Sequence, residues 1–197
     1  MPHKKGDEQI SSISHPTRSA FLAQTGLIAA IYATLTFFVV QIMGYLSWGP
    51  IQFRLSEALT VLALFFPAAI PGLALGCFLG NLLSLGVTGP LGWLDVVFGT
   101  LATFLGAVWT YRFKEHPRIA LLGPVVTNAL IIPAYLPFIL RGLGFYTIPF
   151  TQISLETSFF LMYLFGVGCV GLGQAAVVFG IGMPLATVLR RVLAPMQ

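Results

Sequence analysis

Residues 49–59 read GPIQFRLSEAL, and Arg54 and Glu57 stand three positions apart at the entry of an apolar stretch that runs on to Pro67. Charges beside hydrocarbon are costly unless they face a bundle interior or a cavity. That setting is imposed by the rest of the chain. Of its 197 residues, 57% are hydrophobic and 8% are charged, whereas an ordinary soluble domain carries about 25% charged residues. A soluble fold of this size cannot hide so much apolar surface. The bilayer is the expected solvent, and the chain is expected to be an all-α integral membrane protein.

Working outward from Arg54, apolar segments fill almost everything beyond a polar tail at residues 1–18. The tail has no periodicity, and the run after it is too long for the apolar region of a cleavable signal. Spans are predicted over about 19–43, 53–66, 71–87, 93–112, 118–140 and 157–190, forming one six-helix transmembrane domain over 19–193. Gly and Pro mark the connections GYLSWGPIQF and GVTGPLG, and a bend is expected at GIGMP. Pro133 and Pro137 are expected to kink the fifth span. The second span is the short one: about 14 residues fall below the roughly 20 needed to cross. A re-entrant hairpin of the second and third spans is the alternative.

Basic residues orient the bundle. Lys4, Lys5 and Arg18 precede the first span, Arg112, Lys114 and Arg118 join the fourth and fifth, and Arg190 and Arg191 close the sixth. Six spans bring all of these to one side, the cytoplasmic one, and leave Arg54 and Arg141 outside. Both termini are then cytoplasmic. The net charge of +4 is explained by this arrangement, so nucleic-acid binding is not expected.

The same topology assigns depth to the scarce polar groups. Arg54, Glu57, Asn81 and Asp95 fall in the outer half, and Asn128 and Gln174 near mid-depth. Trp48, Trp93, Tyr45, Phe145 and Tyr146 lie around the rim. An outward-facing pocket is expected from this convergence. Plainer readings exist for each group. Arg54 and Glu57 can pair on one helix face, Asp95 can cap its helix, and the amides can be interhelical glue worth about 1 kcal/mol each. Trp and Tyr favour membrane interfaces in any case.

Small residues form a second pattern. Gly72, Gly76, Gly80 and Ser84 repeat every four positions, and Ala29 and Ala33 stripe the first span. Such stripes suit close packing inside a chain or docking of a partner helix. Cys77 and Cys169 match no metal spacing, and His3, His15 and His116 form no zinc pattern. With lysine only at positions 4, 5 and 114, the chain has no Walker phosphate loop and cannot drive pumping by its own ATP hydrolysis. No histidine is placed to activate a serine inside the membrane, so an enzyme is not expected.

Three stretches, GPIQFRLSEALTVLALFFPAAIPGLALGCFLGNLL (49–83), DVVFGTLATFLGA (95–107) and PVVTNALIIPAYLP (124–137), resemble the queuosine-precursor transporter (QueT) family. These proteins are substrate-binding S components of energy-coupling factor (ECF) transporters. The likeness extends over most of residues 20–190 and is most specific from Gln52 to Pro71. The resemblance implies six membrane helices with cytoplasmic termini and capture of a vitamin-like solute at an outward pocket. It also implies a shared partner module, one transmembrane coupling subunit with two cytoplasmic ATPases that hydrolyse the ATP. The S component is thought to topple to release its cargo inside. An Ala-x-x-x-Ala docking motif stands here as Ala29 and Ala33, and no cofactor is implied in the chain itself. Gln174 departs from the pattern, since family members often carry an acid there.

The inventory suits a 7-deazaguanine such as a queuine-type base. A carboxylate, Glu57 or Asp95, can accept the paired N–H edge of the base. Its carbonyl needs a donor, from Asn81, Asn128, Gln174 or Arg54. Trp93, Trp48 or Tyr146 can supply a stacking platform. Riboflavin or another flat heterocycle would satisfy much of the same list. A membrane assembly protein whose polar groups only glue helices is the alternative from another class. The expected site is thus Arg54, Glu57, Asn81, Trp93, Asp95, Asn128 and Gln174, and the expected location is the cell membrane, a bacterial plasma membrane.

Overall fold

A computed structural model of the chain describes residues 17–44, 52–141, 145–147 and 154–194. Every regular element among them is helical, apart from an isolated bridge between Thr147 and Ser154. Residues 1–16 of the expected tail and the rim residues Tyr45 and Trp48 lie outside the described residues, while Thr17 and Arg18 belong to the start of the first helix.

Helix α1 (Arg18–Met43) is capped by Thr17, whose side chain accepts the Ala20 N–H at 3.3 Å. At about 1.5 Å per residue it is about 39 Å long, more than the roughly 30 Å hydrocarbon core. It ends at Gly44, where φ is 50°, a conformation that favours glycine. Helix α2 (Ala69–Leu83) packs on α1 through the predicted glycine stripe. A Cβ on Gly76 would lie 2.7 Å from the Tyr32 Cβ and 2.8 Å from the Ala29 carbonyl oxygen. Gly72 and Gly80 meet Ile28 and Thr36 in the same way. The four-residue period is therefore a packing device inside the chain. It places Ala29 (2% exposed) and Ala33 (7%) in the core. Ala29 lies directly against Gly76 of α2.

A one-turn helix α3 (Leu85–Thr88) follows, and then α4 (Thr100–Arg112), which is entered through a π turn at Asp95–Gly99. Helix α5 (Pro117–Ile131) lies antiparallel against α4, with Gly106 facing Pro124 and Gly123 facing Trp109. Pro124 sits inside α5 and has no N–H for the Ala120 carbonyl four residues back. The Thr110 hydroxyl of α4 lies 3.1 Å from that carbonyl and 2.9 Å from the Gly106 carbonyl, and its one hydrogen is shared between them. The predicted break near Pro133 is a 3₁₀ turn at Ile132–Ala134, after which α6 (Leu136–Leu140) finishes the segment. Helix α7 (Phe159–Val177) continues through a π turn at Val178–Gly182 into α8 (Met183–Leu193). That turn is the irregularity expected at GIGMP. Pro184 lacks the N–H that would close on Gly180.

The second predicted span is where structure and sequence differ most. Leu55–Leu64 is a 3₁₀ helix, ten residues long, although such runs seldom exceed four residues. At about 2.0 Å per residue it covers about 20 Å, a third more than an α-helix of equal length. It is buried almost all round, with Val61, Ala63, Thr60 and Glu57 fully enclosed. Gly173 of α7 lies on the Gln52 backbone, and Gly182 lies on Ala58 and Val61. The element is thus a central column that also touches α1, α2, α4, α5 and α8.

Three helices are long and apolar enough to cross a membrane: Arg18–Met43, Pro117–Ala134 and Phe159–Leu193. Leu55–Leu64 and Ala69–Leu83 are shorter apolar helices. Large apolar side chains such as Leu22, Ile42, Leu83 and Leu172 are more than half exposed. A water-soluble surface rarely carries so much contiguous hydrocarbon. The outer face is that of a membrane protein.

Candidate substrate site

Residues three apart eclipse in a 3₁₀ helix, so Arg54 at the N-terminal cap, Glu57 and Thr60 share one face of the column. The spacing that suggests an Arg54–Glu57 pair is therefore real, yet the pair does not form. The Arg54 Nη2 lies 3.0 Å from Asp95 Oδ2, at the head of the π turn before α4. Asp95 also accepts the Tyr135 hydroxyl. Glu57 is held by other donors. Tyr32 of α1 donates to its Oε1 at 2.6 Å, Thr103 of α4 donates to the same oxygen at 2.8 Å, and Thr60 lies 3.3 Å from Oε2. Each carboxylate is thus fixed by groups distant in sequence, in a region where an unpaired charge would be very costly.

Asn81 joins the two halves. Its Nδ2 donates to the Asp95 carbonyl at 2.9 Å and approaches Cys77 Sγ at 3.4 Å, and Thr103 reaches the same sulfur at 3.4 Å. Gly99 forms a wall of the cluster. A Cβ there would lie 3.1 Å from Asn81 Nδ2 and 3.3 Å from Arg54 Nη1. Arg54, Glu57, Asn81 and Asp95 are all at most 6% exposed. Asp95 is therefore tied into an ion pair, and the helix head it begins has no side-chain cap hydrogen bond.

A hollow borders this cluster, lined by Thr36, Val40, Arg54, Ser56, Asn81 and Asp95 among others, with about 10 Å³ of free space. That is room for one water molecule. The hollow beside these groups is thus far smaller than the cavity for a planar base that the sequence suggests. The polar groups lie in a contracted cluster.

The two mid-depth amides are buried apart from these hydrogen bonds. Asn128 donates to the Pro124 carbonyl at 2.8 Å, which leaves its Oδ1 without a partner. Both amide atoms of Gln174 are buried without a partner, as is Arg54 Nη1. Leaving a buried polar atom unsatisfied costs about 1–3 kcal/mol. Glue between helices, the plainer reading for Gln174, would have given that amide a partner.

Trp93 is 53% exposed and lies outside the polar cluster. Tyr146 is fully buried against Phe165 in a core with Tyr135 and Met162 and does not sit at the rim. Burial pushes the pKa of its phenol above the usual value, so it stays neutral. Tyr32, Thr103 and Tyr135 were invisible as site residues in the sequence, because lone hydroxyl residues in apolar helices are common and carry no spacing signal. Among the described residues no group of His, Cys, Asp or Glu could hold a metal ion.

The chain is 31% identical over 159 residues to the "Queuosine precursor transporter QueT" of Lactococcus lactis subsp. cremoris (strain MG1363), an alignment covering 78% of this chain and 82% of that protein. No solved structure matches. A family profile described as "QueT transporter" matches residues 22–191. With that match covering most of its length, the chain belongs to the QueT transporter family.

Proposed function

We propose that the protein is the substrate-binding S component of an ECF-type importer and captures a queuosine precursor, a 7-deazaguanine base, from outside the cell. The observation that carries this reading is the fully buried, partnerless amide of Gln174, accompanied by free atoms on Asn128 and Arg54. The Gln174 amide by itself offers an N–H donor and a carbonyl acceptor, the pair that a guanine-like edge complements. Charge supports a particular guest. The cluster holds one guanidinium against two carboxylates, so a protonated aminomethyl group on the base would balance it.

Transport requires an energy source that the sequence does not contain. The partners in this reading are a transmembrane coupling subunit and two cytoplasmic ATPases, with ATP hydrolysed there. The chain crosses a bacterial plasma membrane with six spans and both termini inside. In support, Arg118 and Arg190 line one groove at the same end of the molecule, as the orientation of basic connections toward the cytoplasm requires. The central 3₁₀ column, lengthened by its geometry, serves as the short second span. Since α2 covers Ala29 and Ala33, partner docking through them requires α1 and α2 to separate locally.

Calorimetry with the purified protein tests the reading. An aminomethyl-7-deazaguanine is expected to bind tightly, and Glu57→Gln and Asp95→Asn are expected to weaken it at least tenfold. The contracted cluster favours one rival, an assembly protein without a ligand, because Glu57, Asp95 and Arg54 already have protein partners. That rival predicts loss of thermal stability in both variants and no heat of binding in the parent protein. Riboflavin in the same titration separates another flat heterocycle from a deazaguanine.

A further inference from the structure

The opposite end of the molecule from the polar cluster carries a second recess that transport of a solute does not explain. It lies between the α4–α5 connection and α8, measures about 470 Å³, and is lined by Glu115, His116, Arg118, Leu121, Ala186 and Arg190 among others. A trough of about 320 Å³ adjoins it, lined by Arg118, Ile119, Leu122, Phe179 and Met183. Both share Arg118, Ile119 and Met183. They form one track with an ionic head and an apolar run.

We propose that this track binds an anionic phospholipid, with the phosphate between Arg118 and Arg190 and an acyl chain along Ile119, Leu122, Phe179 and Met183. Three observations support the assignment. First, the head carries two guanidiniums against the single carboxylate of Glu115, and guanidinium matches a phosphodiester in charge and geometry. Second, the run beyond Arg118 contains no polar side chain, so a soluble anion would leave it unused. Third, Ile119 and Leu122 are 46% and 44% exposed on the outer face of α5, where lipid is the solvent. Basic pockets between membrane helices are a recurring way to hold anionic headgroups. The pattern was hidden in sequence because α5 and α8 are brought together only by folding.

Native mass spectrometry of the full chain in neutral detergent tests this with phosphatidylglycerol and phosphatidylcholine of identical acyl chains. Phosphatidylglycerol is expected to be retained at least tenfold better, and R118Q/R190Q is expected to erase that difference. R118K/R190K should keep part of it, since charge remains. Equal retention of the two lipids by the parent protein overturns the proposal without reference to any variant. So does displacement of phosphatidylglycerol by millimolar inorganic phosphate, which would mark a soluble-anion site. Retention of the preference in a monodisperse R118Q/R190Q protein places the lipid elsewhere and equally refutes the site.

Discussion

The ion pair between Arg54 and Asp95 invites a thermodynamic cycle, because sequence spacing pairs Arg54 with Glu57 and the structure does not. Both partners are at most 9% exposed at the side chain, with N and O 3.0 Å apart. Unit charges about 4 Å apart attract by about 4 kcal/mol at an effective dielectric near 20. Removing one member of a buried pair costs about 3–5 kcal/mol, because the other charge is left unmatched. Arg54→Met leaves Asp95 with the Tyr135 hydroxyl, which places the expected loss near the lower bound, about 3 kcal/mol. Asp95→Asn strands the guanidinium and should cost a similar amount. In the double variant neither charge remains, so its loss should fall short of the sum by about 2–3 kcal/mol. The parallel cycle of Arg54→Met with Glu57→Gln should couple by less than about 1 kcal/mol. Reversible unfolding in mixed detergent micelles measures both. Additive losses in the first cycle, or stronger coupling in the second, would refute the pairing described here and return Arg54 to Glu57.

Gln174→Leu removes two partnerless buried amide atoms and should leave the melting temperature unchanged or raised, while weakening deazaguanine binding at least tenfold in the same calorimeter. A melting temperature lowered by many degrees would mean that the amide has a structural partner. Gly76→Ala drives a methyl to within 2.8 Å of the Ala29 carbonyl, and overpacking of this kind costs about 1–3 kcal/mol. Gly26→Ala, with nothing within 4 Å of the added Cβ, should not destabilise, and thermal unfolding of the pair shows the contrast. Trp93→Ala should leave solute affinity within a factor of two, since the indole is 53% exposed and outside the cluster. A tenfold loss by titration would restore it to the site.

Much of this molecule is readable from local chemistry. The apolar runs, the proline and glycine breaks and the stripe Gly72–Gly76–Gly80 are properties of neighbouring residues, and the helices appear close to where those patterns put them. The polar residues most expensive to bury, Arg54, Glu57, Asn81 and Asp95, also announce themselves, because a bilayer tolerates few such groups and those few must meet. Their partners do not. Tyr32 and Thr103 reach Glu57 across 25 and 46 residues of chain, and a hydroxyl in an apolar helix looks the same whether it serves a carboxylate or its own backbone.

Sequence by itself determined the solvent, the helical class and the short list of costly side chains, since each follows from transfer free energy summed along the chain. Tertiary structure alone decided who pairs with whom. It gave Arg54 to Asp95, sealed Ala29 and Ala33 beneath α2, and drew Leu55–Leu64 into a 3₁₀ column. Those outcomes depend on distances between segments, which no local pattern encodes.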